Sequence, residues 1–339
     1  MLATVRYRWS LLRAGAFKLD GGSMFGLVPR VVWSKAVPTD ERGRISVQHN
    51  CLLLERDGDP PTAPAPPVGS GTPQSPPLPA PKLVLLEVGT GNKLDDKSRD
   101  IFALENRWIG DALHEANCRP DDIEAVVVSH LHFDHAGGLT RRCTPSESPD
   151  WTPDGATAEG GGVKLTFPSA RVHAQRREWL DAIANRSVMT RTYFPDHLHP
   201  IRERLVLAES LPPFVAGYVP GREQDPPYPL ESRLTEIIPG IHVLLVPGHT
   251  WGQQATLFTD TKGRTVVFTP DVMPTINHVG AAYSLGYDVE PYTSMVSRRW
   301  FLQAAAERGW LLVLDHEPGN PLCRVRPNGK GWFELTPAE

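Results

Sequence analysis

No stretch of the 339-residue chain approaches the roughly 18 consecutive apolar residues that a membrane-spanning helix requires. No secretory signal is expected either, because Arg6, Arg8, Arg13 and Lys18 interrupt what would have to be its apolar core, and a cytoplasmic protein with no membrane partner is expected. Cysteine is scarce: Cys51, Cys118, Cys143 and Cys323 stand far apart with no Cys-x-x-Cys pair, which excludes a disulfide framework and a thiolate zinc site. Charge of one sign is lacking too. With 35 Lys+Arg against 39 Asp+Glu the formal charge is −4, so no nucleic-acid partner is expected on bulk charge. At 40% hydrophobic and 22% charged residues, the chain has enough apolar surface to bury a core. No pattern bears on oligomeric state.

Proline is what the chain has in excess. There are 34, and ten of them fall between Pro60 and Pro81. The flanking runs CLLLE (51–55) and KLVLLEV (82–88) are both short, apolar and strand-like, so the proline-rich stretch at about 58–81 reads as a loop insertion between neighbouring strands of one domain spanning 1–339. Residues 101–116 put Ile101, Leu104, Trp108, Ile109 and Leu113 at helical spacing, and IEAVVV (123–128) then reads as a buried strand. Two Gly/Pro/Ser-rich stretches, about 144–162 and 210–232, read as surface insertions around a helix at 175–184. Beyond Gly240 come IHVLLVP, QATLFT and TVVF, then a helix at about 293–308 stopped by Gly309, then LLVLDH. Helices alternating with strands make this an α/β protein.

Chemistry is concentrated where the strand at 126–129 ends. There SHLHFDHAGG sets His130, His132, Asp134 and His135 within six residues, a pattern that chance would yield about once in a thousand chains of this composition. Imidazole nitrogens and carboxylate oxygens are the donors of open catalytic metal sites, and a loop leaving a strand can aim several of them into one cavity.

These residues resemble the metallo-β-lactamase-fold hydrolases, and further pieces follow in that family's order: Pro247-Gly248-His249-Thr250 after a strand, Asp271 after TVVF, and His316 at the end of LLVLDH. The resemblance implies a four-layered αβ/βα sandwich with two divalent metal ions at one edge, zinc foremost and iron or manganese as the alternatives. It implies His130, His132 and His249 around the first ion, Asp134, His135 and His316 around the second, and Asp271 bridging. Two such ions lower the pKa of water and hold a substrate oxygen, and Asp134 is the candidate for passing a proton to the leaving group. The chain departs from the family where Asp-Thr-Gly is replaced by Glu87-Val88-Gly89, where Gln253 stands at a position often histidine, and where Pro274 stands at a position that is tyrosine in N-acyl homoserine lactonases.

The expected activity is binuclear hydrolysis of a small-molecule ester, lactone or related substrate. A glutathione thioesterase is disfavoured because only 23 residues follow His316, and nuclease branches by the charge balance. The alternatives are a mono-iron persulfide dioxygenase-type oxidoreductase and a non-catalytic binding module on the same fold. Tyr193 and His278 are the candidates for substrate contact. His197 and His199 read as surface or packing residues, and His49, His114, His173 and His242 as structural or solvated.

Overall fold

The computed structural model describes residues 5–58, 80–153, 162–185, 192–215 and 228–339. Most of the proline-rich insertion and the centres of the two surface insertions lie outside the described residues.

The chain opens with strands β1 (Arg6–Asp20), β2 (Arg44–Asp57), β3 (Leu83–Leu86) and β4 (Ala125–Val127), continues through a small hairpin β5 (Thr140–Arg142) and β6 (Val163–Leu165), and adds β7 (Arg171–Gln175) and β8 (Leu205–Ala208). Its second half supplies β9 (Leu234–Ile238), β10 (Ile241–Leu245), β11 (Gln254–Thr259), β12 (Thr265–Thr269), β13 (Leu311–Leu314), β14 (Leu322–Pro327) and β15 (Phe333–Pro337). The helices are α1 (Gly21–Phe25), α2 (Arg30–Trp33), α3 (Asp96–Ile101), α4 (Ile109–Glu115), α5 (Phe133–Ala136), α6 (Arg176–Ala184), α7 (Pro195–Leu198) and α8 (Pro291–Arg308). One sheet runs β1-β2-β3-β4-β7-β8 and the other β15-β14-β13-β12-β11-β10-β9.

Side-chain alternation explains why these sheets stack. Val84 and Leu86 of β3, with Ala125 and Val127 of β4, meet Phe268, Leu311 and Val313 in a core between the sheets. The intervening Leu85 and Val126 point the other way, onto Ile109, Leu113, Trp179 and Ala182 of α4 and α6. In β13, Leu312 and Leu314 likewise face Trp300, Phe301 and Ala305 of α8. Strands buried on both faces must be apolar throughout, hence runs such as LVLL rather than strict alternation. The result is the α/β, four-layered αβ/βα sandwich. The long helix α8 begins at Pro291, whose fixed φ suits the first turn, and stops where Gly309 takes the left-handed conformation at φ 62°.

Three details differ from what the sequence suggests. Of the helix expected over 101–116 only the second half forms, as α4 (Ile109–Glu115), because α3 ends at Ile101 and residues 102–107 are drawn alongside β1: the Lys18 amide donates to the Phe102 carbonyl at 2.7 Å and the Glu105 amide to the Ala16 carbonyl at 2.9 Å. Tertiary pairing there overrides helical spacing. β1 itself, 15 residues long, alternates arginines with apolar residues and is the strand that the charge reading passed over. The residues after His316 form the β14–β15 hairpin that finishes the second sheet.

The strand-loop-strand reading across the prolines agrees with the pairing: β2 and β3 are antiparallel neighbours, Glu55 opposite Leu83. Arg56 ties the junction by donating from Nη1 to the carbonyls of Ala80 and Pro81 at 2.6 and 2.9 Å. Since closure entropy depends only weakly on loop length, replacing residues 61–79 with a short Gly-Ser turn is expected to leave the melting temperature nearly unchanged in a thermal melt. Unfolding of that variant would mean that the insertion packs on the body.

Candidate metal centre

The sequence-marked residues come together at one edge of the sandwich, where strands of both sheets end. Glu87 follows β3, residues 129–135 follow β4, His249 lies four residues past β10, Asp271 two past β12, and Asp315 and His316 directly past β13. Peptide groups stitch the sheets together around this point. The amides of Gln48 and Asn50 in β2 donate to the His316 and Asp315 carbonyls at 3.2 and 2.8 Å. On the other flank the Gln254 amide donates to the Ser129 carbonyl at 3.0 Å and its side chain to the Val128 carbonyl at 2.9 Å.

Two glycines allow the crowding. Gly248 has φ 133°, and a Cβ there would lie 2.2 Å from the Ser294 nitrogen in α8; the close approach lets the amides of Val289 and Glu290 donate to the carbonyls of His249 and Gly248. Gly137, just past the motif, passes so near Thr90 that a Cβ would lie 2.1 Å from its carbonyl oxygen.

The donor atoms form two adjoining sets. In the first, His130, His132 and His249 are all buried, and His249 Nε2 lies 3.0 Å from His132 Nδ1. In the second, His316 Nε2 lies 3.2 Å from His135 Nε2, 3.3 Å from Asp271 Oδ1 and 3.7 Å from Asp134 Oδ2. Asp271 touches both, since its Oδ2 is 3.0 Å from His249 Nε2. Donors at 2.0–2.1 Å from one tetrahedral ion stand about 3.3 Å apart, so these spacings suit a cation of that size. Without one, several atoms have no purpose: His130 Nε2, Asp271 Oδ1 and both oxygens of Asp315 are buried with no hydrogen-bond partner. An unpaired buried carboxylate costs on the order of several kcal/mol, and a cation at this point offsets that cost. The donor set and its orphaned atoms therefore fit divalent metal.

The outer nitrogens are held from behind. His249 Nδ1 pairs with Asp288 Oδ1 at 2.9 Å, His316 Nδ1 faces the Gln48 carbonyl at 2.9 Å, and His135 Nδ1 lies 3.3 Å from Glu87 Oε2. Glu87 also accepts from the Ser129 amide at 2.5 Å, so the longer acid standing in the Asp-Thr-Gly position keeps a contact with a site histidine. Glu178 on α6 ties the two first-set loops together: it accepts from the Leu131 amide at 2.9 Å, the Thr250 hydroxyl at 2.6 Å and the Tyr193 hydroxyl at 3.2 Å. Glu178 and Asp288 escape sequence reading, because nothing in spacing or composition sets them apart. Asp315 had a signal, an acid directly after four strand residues.

Charge follows from this packing. Burial opposes a proton on His249, but Asp271 and Asp288 outweigh it and raise its pKa to about 10. Burial likewise opposes a charge on His135, and Asp134, Glu87 and Asp271 raise its pKa well above the ordinary value. His130 and His132 are pushed well down by burial and by their neighbouring imidazoles.

The substrate candidates fare differently. Tyr193 flanks the site, its ring 5.2 Å from that of His132, but its hydroxyl is committed to Glu178. His278 does not reach the cavity: it is fully buried, stacked on Phe25 at 4.8 Å, with Nε2 against the Met24 carbonyl and Nδ1 against the Thr275 hydroxyl, each at 2.8 Å. Its spacing after Asp271 served packing instead. His197 packs on Phe194 and His199 stacks on Trp151, both apart from the donor sets.

A profile of the Metallo-beta-lactamase superfamily matches residues 82–316. The N-acyl homoserine lactonase AiiA of Bacillus thuringiensis subsp. kurstaki is 24% identical over 225 residues, 66% of this chain and 68% of its own. Among solved structures, a probable metal-dependent hydrolase from Staphylococcus aureus aligns over 100% of this chain and 99% of its own at 22% identity, with a TM-score of 0.68. The dizinc quorum-quenching lactonase AidC aligns over 99% and 98% at 17% identity, with a TM-score of 0.65.

Two outcomes are expected. Protons held on His249 and His135 must leave when those nitrogens take up a cation, so apparent affinity should rise between pH 6 and 8 by up to about tenfold per unit for each proton displaced, read by calorimetry in buffers of different ionisation enthalpy. Asp288→Asn should weaken metal binding by about 10- to 100-fold while leaving the circular dichroism spectrum unchanged.

Proposed function

Since the chain belongs to the metallo-beta-lactamase superfamily, we propose that it is a binuclear metal-dependent hydrolase of small esters, lactones or related substrates. The observation that carries this reading is Asp271, whose two oxygens face His249 and His316, one from each donor set, at 3.0 and 3.3 Å. In this assignment His130, His132 and His249 hold the first ion, Asp134, His135 and His316 the second, and Asp271 joins them. Two divalent cations held there would lower the pKa of water and polarise an acyl or phosphoryl oxygen.

The chain's own residues do the rest. Glu178, Asp288 and Glu87 fix the loops and ring orientations, so donor geometry is set before substrate arrives. Asp134 is buried, with its carboxylate oxygens 3.7 Å from His316 Nε2 and 3.9 Å from His135 Nε2. Hydrolysis consumes one water: its oxygen adds to the acyl or phosphoryl centre, and its proton passes through Asp134 to the oxygen that leaves. Tyr193, whose ring lies 5.2 Å from that of His132, also lines a largely apolar hollow of about 570 Å³ with Ile101, Phe102, Ile183, Phe194 and Leu198, a surface suited to the hydrocarbon part of a substrate. The likeness to AiiA and AidC, which are lactonases, favours a lactone among the substrate classes.

The test is a panel of lactones, carboxylic esters and phosphotriesters with metal-replete protein. Wild type should hydrolyse at least one class and His132→Ala none, with the fold retained. Asp271→Asn should lose one of the two ions and fall by orders of magnitude in rate, with residual activity moved to higher pH. If metal-replete wild type hydrolyses nothing but consumes oxygen with a persulfide, the hydrolase reading is wrong.

A further inference from the structure

Asp315 has no part in the assignment above, and its surroundings give it no other employment. Its peptide is fixed on both sides, the amide donating to the Thr269 carbonyl at 3.2 Å and the carbonyl accepting from the Asn50 amide at 2.8 Å. The side chain cannot swing to solvent, being 2% exposed, and neither carboxylate oxygen has a hydrogen-bond partner. Its Oδ2 lies 4.0 Å from His316 Nε2, and one of its oxygens shares a cluster with donor atoms of His135, Asp271 and His316, all within 4.8 Å of one another. The charged groups that face it include Asp271, Glu87 and Asp134, with His135 as the cationic partner. A carboxylate retained for structure would be paired with a buried arginine, a hydroxyl or a peptide amide; this one is aimed among donors.

We propose that Asp315 is a direct ligand of the ion held by His135 and His316. This inference rests on the two-ion reading and adds a residue to it. It gives the second site three carboxylate donors, Asp134, Asp271 and Asp315, beside two imidazoles, whereas the first has three imidazoles and a share of Asp271. Carboxylate oxygen suits harder ions such as manganese, and imidazole suits zinc. The two sites therefore differ in preference, the second accepting Mn2+ more readily relative to zinc than the first.

The experiment titrates metal-free wild type and Asp315→Asn with Mn2+ alone, counting bound ions by electron paramagnetic resonance of free manganese and measuring no activity. Wild type is expected to bind two ions, and the variant to keep one binding event and lose at least about tenfold in affinity for the other. Equal affinities for both ions in the two proteins would overturn the inference and leave the two-ion reading intact. Wild type that binds fewer than two would overturn the two-ion reading itself. Should Asp315→Asn fail to fold, the crystal structure of manganese-loaded wild type decides: an Asp315 oxygen in the ion's coordination shell supports the assignment, and a carboxylate outside it refutes the assignment.

Discussion

Peptide hydrogen bonds that pass from one sheet to the other hold the ligand-bearing loops at their spacing. Without the amides of Gln48 and Asn50 on one flank and Gln254 on the other, the ends of β4 and β13 would lose the peptide hydrogen bonds that join their layers and rely far more on apolar contact between sheets. Apolar contact is non-directional and tolerates sliding, whereas a hydrogen bond fixes a register. The side chains reinforce the seam. Asn50 donates to the carbonyls of Leu314 and Glu317 at 2.9 Å, and Gln175 donates to Gln254 at 2.8 Å, so buried side-chain amides tie the sheets together on both flanks.

That arrangement makes the site expensive to build and cheap to fill. Glu87, Asp134, Asp271 and Asp315 are all buried within one small volume, and His135 and His249 are the cationic partners beside them. Burial penalises each ion singly, while a dication among them compensates several at once. The acids standing behind the rings, Glu87 and Asp288, serve a second purpose: each fixes which nitrogen its histidine turns toward the cavity.

Much of this was legible before any coordinates. Local patterns carried the central strands β2 to β4 and β10 to β13, because doubly buried strands must be continuously apolar, but not the flanking strands such as β1, β14 and β15; the six-residue histidine motif carried its own position because its donors are neighbours in the chain. Long-range pairing was not legible. The segment 102–107 has helical spacing yet lies along β1, and nothing local announces a partner 84 to 94 residues away. The same limit hid Glu178 and Asp288, which act on loops far from them in sequence, and misdirected attention to His278, whose distance from Asp271 along the chain said nothing of the stacking on Phe25 that occupies it.

The strap formed by residues 102–107 bears on how separate molecules of this protein meet. β1 is the outermost strand of its sheet, and an open row of amides and carbonyls on such a strand is a template for self-association. Here the strap covers the stretch from Arg13 to Lys18, and Asp260 and Thr261 reach across from the opposite sheet to engage Tyr7. Between these two covers stands exposed Arg8, which pairs with Glu55 and Asp57 of β2 and places a long charged side chain on the open edge. Where a helix over 101–116 would have left this stretch of β1 open, the strap occupies its amides and carbonyls instead.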